Sequence, residues 1–258
     1  MPTSGAGDGT NLAREAIVQG ADLILVLGGD GTVNEVIQAM AHTGIPMGVL
    51  PGGTANVLAM ELGLGSRPEV AAERIATSQP RAIALGRVNG AKLGSRYFLL
   101  MCGAGLDAMV VYHVSPGLKA VAGKLAYWLA GFGHFFRSVG QLEVRLDGQV
   151  YPCGFALVSR VANYGGDLEI ASGASLTRDD FEVVLFEGSN SLRYAWYMLG
   201  VAARRVHTMR GVRVMPAHRV EILSDAPAQI DGEYLGRQSL CIEIVPGAMN
   251  LLLPPGHG

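Results

Sequence analysis

The 258-residue chain is long enough for one large or two modest cores, and its 49% hydrophobic content argues against disorder. Twenty Lys and Arg against 22 Asp and Glu leave a formal net charge of −2, with no basic footprint for a dedicated nucleic-acid partner. Three cysteines without CxxC spacing speak against a disulfide framework or a zinc site and fit a reducing cytosol. The N-terminal MPTSGAGDGTNLAREA lacks the charged start and apolar stretch of a signal peptide. No window reaches the ~18 uncharged apolar residues that a membrane span needs. A cytoplasmic protein, at most peripheral at a membrane, is expected.

The first eighty or so residues alternate helix and strand. Residues 11–19 (NLAREAIVQ) put Leu12, Ala16 and Ile17 on one helical face. Residues 23–27 (LILVL) form a continuous apolar run, as in a strand buried on both faces. Val33, Val36, Ile37 and Met40 then recur at helical spacing. A second short strand is expected over 47–50, a second helix start over 56–62 and a third helix over 69–78. Such alternation with short loops predicts parallel strands with helical crossovers.

From about residue 83 the pattern changes to short β-like runs at 82–88, 97–102, 142–146, 154–159, 181–186, 220–223 and 239–245. Asp147-Gly148 and Asp231-Gly232 are hairpin dipeptides. Two apolar helical stretches, 118–136 and 192–208, interrupt the strands. The fold expected is therefore a parallel α/β domain over 1–85 followed by a mainly antiparallel, sandwich-like β domain over 86–258. The last residues could return to the first domain.

Two glycine-rich turns carry the chemistry. Gly28-Gly29-Asp30-Gly31-Thr32 follows the first buried strand, and so lies at the carboxyl edge where α/β sheets place ligands. Glycines there let backbone N–H groups approach an anion, and the following helix directs its positive end at the turn. Thr32 and Glu35 have the spacing of a capping box. Pro51-Gly52-Gly53-Thr54-Ala55-Asn56 repeats the arrangement one strand later. An acid inside an anion cradle works against phosphate unless a cation mediates, so Asp30 points to Mg²⁺. The plain alternative is that Asp30 caps a helix and the glycines only turn the chain. Neither turn is a Walker loop or a GxGxxG dinucleotide fingerprint.

The sequence resembles the diacylglycerol kinase catalytic-domain family of lipid kinases. The resemblance is carried by LGGDGTVNEV (27–36), LPGGTANVLA (50–59), RYFLLMCGAGLDA (96–108), NYGG (163–166) and IDGEYLG (230–236), in the family's order. It implies a two-domain ATP- and Mg²⁺-dependent kinase with its site between the domains, phosphorylating diacylglycerol or a related lipid alcohol. Gly28, Gly29, Asp30, Gly31 and Thr32, with Gly53, Thr54 and Asn56, would contact the ATP phosphates and metal. Asp231 would be the general base for the lipid hydroxyl, with Glu233 two residues on. Without the family, Asp231-Gly232 reads as no more than a hairpin turn, like Asp147-Gly148.

Some family positions differ. Val57 and Ala84 stand where many members carry Asp, removing two potential metal or nucleotide ligands. The family's structural-metal stretch reads Thr177-Arg178-Asp179-Asp180, which leaves Asp179 a weak metal candidate. Members also carry a further strand and an Asn-Pro element ahead of the part matched here; without that strand a sheet edge would be open. The aromatic-rich helices could face a membrane or simply pack in the core. The lipid is not identified, and the oligomeric state is open, a dimer included. Alternative readings are a non-catalytic nucleotide- or lipid-binding member, or an NAD kinase, which shares GGDGT.

Overall fold

The computed structural model describes residues 1–5, 7–106, 140–165, 168–188 and 190–256. The helix expected over 118–136 lies outside the described residues. Helix α1 (Asp8–Val18) leads into strand β1 (Ile24–Gly28), helix α2 (Asp30–Met40) and strand β2 (Pro46–Pro51). Short α3 (Val57–Glu61) and α4 (Pro68–Ala76) complete the helical part. β1 and β2 pair in parallel from Ile24↔Met47 to Gly28↔Pro51. This in-register pairing brings the two glycine turns to the same end of the sheet. Among the described residues β1 lies at one edge of the sheet, with Leu25 and Leu27 exposed along it and Leu23 exposed just ahead of it.

The β-rich part comprises β3 (Gln79–Gly90), β4 (Gly94–Phe98), β5 (Met101–Gly105), β6 (Leu142–Leu146) and β7 (Gln149–Cys153). There follow β8 (Phe155–Ser159), the short β9 (Asn163–Tyr164) and β10 (Leu168–Glu169), and β11 (Phe181–Phe186). Helix α5 (Ser191–Ala202) precedes β12 (Val212–Ala217), β13 (Arg219–Ile230) and β14 (Glu233–Leu253). Apart from the parallel pairs of β2, the ladders are antiparallel. Both Asp-Gly dipeptides are two-residue hairpin turns with positive φ at both positions: 44° and 98° at Asp147-Gly148, 46° and 85° at Asp231-Gly232.

β14 joins the two parts. It carries β3 along one edge, and on the other it pairs first with β13 and then, at Asn250↔Pro46 and Leu251↔Met47, with β2 in parallel. The register shift between Val245 and Met249 contains Gly247, whose φ of 60° bends the strand from one partner to the next. One hydrophobic cluster unites α2, β2 and α3 with Tyr194 and Tyr197 of α5; a second fills the antiparallel part around Phe98, Phe181 and Ile242.

Gly86 on β3 lies under the Phe98 ring, which stacks on Phe181 at a centroid distance of 5.8 Å. A Cβ at Gly86 would come within 2.2 Å of that ring. Gly86→Ala is therefore expected to cost about 2–3 kcal/mol by overpacking, seen in calorimetry as a melting temperature lower by about 5–10 °C.

Candidate active site

The two glycine turns are packed backbone to backbone. A Cβ on Gly53 would fall 2.5 Å from the Cα of Gly29, and one on Gly52 would fall 3.1 Å from the Gly28 nitrogen. A Cβ on Gly28 would strike the Thr32 side chain at 2.8 Å. Gly31, Gly52, Gly53 and Thr54 remain exposed at the rim. Asn56 fixes the second turn: at φ 48° it accepts from the Gly53 N–H at 2.8 Å and donates to the Gly53 carbonyl at 2.8 Å. The first turn opens directly into α2, whose N-cap, Gly29, leaves the helix without a side-chain cap. Its first amides thus present positive partial charge toward the turn.

Two of the expected local roles are different. Thr32 does not cap α2, because the helix begins two residues earlier at Asp30. Glu35, expected to complete that capping box, instead accepts from the Gly7 and Gly9 amides at 2.7 and 2.9 Å and so caps α1. Asp30 accepts from the amides of Val57 and Leu58 at 3.0 and 3.2 Å, capping the first turn of α3. Val57 thus contributes its amide here, its side chain being buried. A carboxylate has about four acceptor sites, so these two bonds do not exhaust the capacity of Asp30.

Asp231, the candidate base, is the centre of a second cluster of hydrogen bonds. The turn backbone is partly exposed, yet the carboxylate is enclosed. Oδ1 accepts from the amides of Leu100 and Met101 at 3.0 and 2.9 Å; Oδ2 accepts from the Leu99 amide at 2.9 Å and Asn34 Nδ2 at 2.9 Å. Burial pushes the carboxyl up from its ordinary value, while these bonds pull it down. The strand expected over 97–102 is accordingly two strands. The amides at the break between β4 and β5 turn to the carboxylate.

Around Asp231 a polar network ties the helical part to the β-rich part. Arg96 makes a two-pronged pair with Glu233, both bonds at 2.8 Å, and donates to Asn34 Oδ1 at 2.9 Å. This pairing raises the Arg96 pKa. Gln38, one turn on from Asn34, donates to the Tyr97 carbonyl at 2.8 Å and accepts from its amide at 3.0 Å. Glu61 of α3 accepts from the Ala162 amide and Asn163 Nδ2 at 3.2 and 3.1 Å. Each helix that follows a glycine turn is thereby clasped to the β-rich part.

Asp179 is not brought into this site. It is exposed, and among the described residues no three His, Cys, Asp or Glu side chains are grouped to hold a metal. The neighbouring carbonyls already have a cation: the buried Arg160 guanidinium donates to Leu176 at 2.8 Å, Asp180 at 3.2 Å, Arg178, and Ala84 at 3.0 Å. Asn34, Gln38, Arg96, Glu61 and Arg160 are residues that motif reading left out. Asn34 and Arg96 stand inside the quoted stretches, but their partners are sixty to two hundred residues away.

The family model described as Diacylglycerol kinase catalytic domain matches residues 1–88. The model described as YegS C-terminal NAD kinase beta sandwich-like domain matches residues 101–253. A diacylglycerol kinase of Bacillus subtilis (strain 168) is 31% identical over 253 residues, spanning 91% of this chain and 78% of that protein. One from Staphylococcus saprophyticus is 28% identical over 245 residues, spanning 91% and 78%. A crystal structure of a diacylglycerol kinase from Bacillus anthracis str. Sterne superposes with a TM-score of 0.72 at 19% identity, covering 100% of this chain and 85% of that one. Motif order, two-part fold and sequence similarity agree: the chain belongs to the diacylglycerol kinase catalytic-domain family.

Proposed function

We propose that the chain is an ATP- and Mg²⁺-dependent lipid kinase that transfers the γ-phosphoryl group to the hydroxyl of diacylglycerol or a related lipid alcohol. The observation that carries this reading is α2 itself. Its N-terminus opens from the Gly28–Thr32 turn, and Asn34, one turn on, reaches Asp231. Four residues of helix rise about 6 Å, so the glycine turn and the buried carboxylate lie about one helical turn of α2 apart. The side-chain-free contact between Gly29 and Gly53 suits a phosphate chain cradled by backbone amides.

Mg²⁺ held with the nucleotide supplies charge neutralisation for phosphoryl transfer. Asp30 is the residue suited to hold it, since Mg²⁺ commonly takes only one or two carboxylates beside phosphates and water. Asp231 accepts the hydroxyl proton late in a loose transition state. Of its four donors only Asn34 is a side chain, and so is free to yield Oδ2 to an incoming hydroxyl. Arg96 and Glu233 hold Asn34 in place from the other side.

The reading is tested by measuring ADP release and phospholipid formation with Mg·ATP and dispersed diacylglycerol, ceramide and sphingosine, with NAD as a control acceptor. Turnover of a lipid alcohol is expected, and phosphorylation of NAD alone would overturn the assignment. ATP binding without turnover across the lipids would favour a binding protein. Gly53→Ala forces the two turns apart at backbone contacts and is expected to weaken ATP binding at least about ten-fold; unchanged affinity in titration calorimetry would refute the cradle.

A further inference from the structure

We infer that the outer face of α5 is a docking surface for an anionic phospholipid bilayer. The helix is firmly seated from within. Tyr194, Tyr197, Met198 and Val201 are buried, and the Tyr197 hydroxyl lies 3.1 Å from both the Glu187 and Gly211 carbonyls, which share its one proton. Tyr194 donates to the Gly188 carbonyl at 3.0 Å. Asn190 caps the first turn through the Leu192 amide at 2.9 Å.

The outward face is apolar where a solvated helix would be polar. Leu192, Trp196 and Leu199 are 72%, 62% and 63% exposed. Their spacing of i, i+4 and i+7 makes one stripe. Ala195, Ala202 and Ala203 extend it. The polar end is wholly basic: Arg204, Arg205, His207 and Arg210 follow, and no Asp or Glu occurs from Asn190 to Arg210 in a chain whose net charge is −2. Arg204 lies 3.9 Å from Glu169, a loose pairing; among the described residues Arg205 and Arg210 have no ion-pair partner.

That combination selects the occupant. A bilayer surface takes Trp and Leu at the headgroup–acyl boundary and pairs arginine with lipid phosphates. A helix of 12 residues is about 18 Å long, too short to cross a ~30 Å hydrocarbon core but suited to lie along its surface. The inference deepens the lipid-kinase reading, because a bilayer-held acceptor has to be met at the membrane, but it stands on the exposed stripe and its charge.

The test is co-sedimentation of the full chain, without nucleotide, with vesicles of neutral phosphatidylcholine alone or mixed with anionic phosphatidylserine, neither of which carries a free alcohol to serve as the proposed acceptor. Binding to the anionic vesicles, weakened by salt, is expected. Combining Leu192→Ser, Trp196→Ser and Leu199→Ser should abolish it with circular dichroism unchanged. Arg205→Glu with Arg210→Glu should weaken it at least about twenty-five-fold, at roughly five-fold per arginine. No binding by the wild-type chain, or binding that survives the triple substitution, overturns the proposal. So does a dimer, seen by sedimentation velocity, that the triple substitution dissolves, since a second copy would then be the occupant. A failed kinase assay with intact vesicle binding would refute the activity and leave the surface standing.

Discussion

Asp231→Asn is expected to abolish phosphoryl transfer and also to lower the melting temperature by about 10 °C, while ATP affinity stays within about three-fold. The two effects have different origins. Loss of transfer would follow from removing the proposed base for the hydroxyl proton, an amide being no base at any working pH. Loss of stability follows from the donors. Leu100 and Met101 address one oxygen, Leu99 and Asn34 the other, so either orientation of the new amide sets its NH₂ against two N–H groups. Each orphaned donor costs about 1–3 kcal/mol, and a chain of this size loses roughly 2–4 °C per kcal/mol. A variant melting with the wild type would refute the anchoring role, and one with full turnover would end the general-base assignment. Asn34→Ala separates the roles further. It removes the one donor expected to yield, so turnover should persist at reduced kcat while stability falls by about 1 kcal/mol.

Of these two roles, the proposed base and the observed anchor, the sequence pointed only to the first. The spelling IDGEYLG, through the family resemblance, made Asp231 a candidate site residue, and the Asp-Gly dipeptide pointed to the hairpin from local backbone preference. Nothing local distinguishes Asp231 from Asp147, whose turn has the same hand and length. The difference is tertiary: Asp231 meets three consecutive amides from a break between two strands, and that break is invisible because 97–102 reads as one apolar run. Asp30 shows the converse. An acid in a glycine-rich turn is informative in sequence, but the helix it caps is the neighbour, reached because β1 and β2 pair in register. Strands such as the alternating Leu142–Leu146 and the largely apolar Phe181–Phe186 were readable to the residue. The two-sided character of α5 was not, since a helix rich in aromatic and aliphatic residues on all faces has the same composition buried or half exposed.

The second large effect is expected from Arg160→Met, a change that keeps volume and removes the charge. Arg160 is fully buried, and burial pulls its pKa down to about 10. It bears that cost because its two terminal nitrogens bind the carbonyls of Ala84, Leu176, Arg178 and Asp180. These acceptors come from β3 and from the loop before β11, so one planar cation ties the entry of the β-rich part to a segment of irregular backbone. Methionine would leave the four carbonyls without their donor, a loss of about 3–5 kcal/mol and a melting temperature lower by about 10–15 °C. Lysine should recover only part, since one ammonium cannot span acceptors fixed for a fork. The same geometry bears on Asp179. With the loop carbonyls already turned to a resident guanidinium, Asp179→Ala should be nearly neutral and a chelator should not shift wild-type melting. A chelator-sensitive transition, or an Arg160→Met variant melting within about 2 °C of the wild type, would show that a cation other than Arg160 holds this loop.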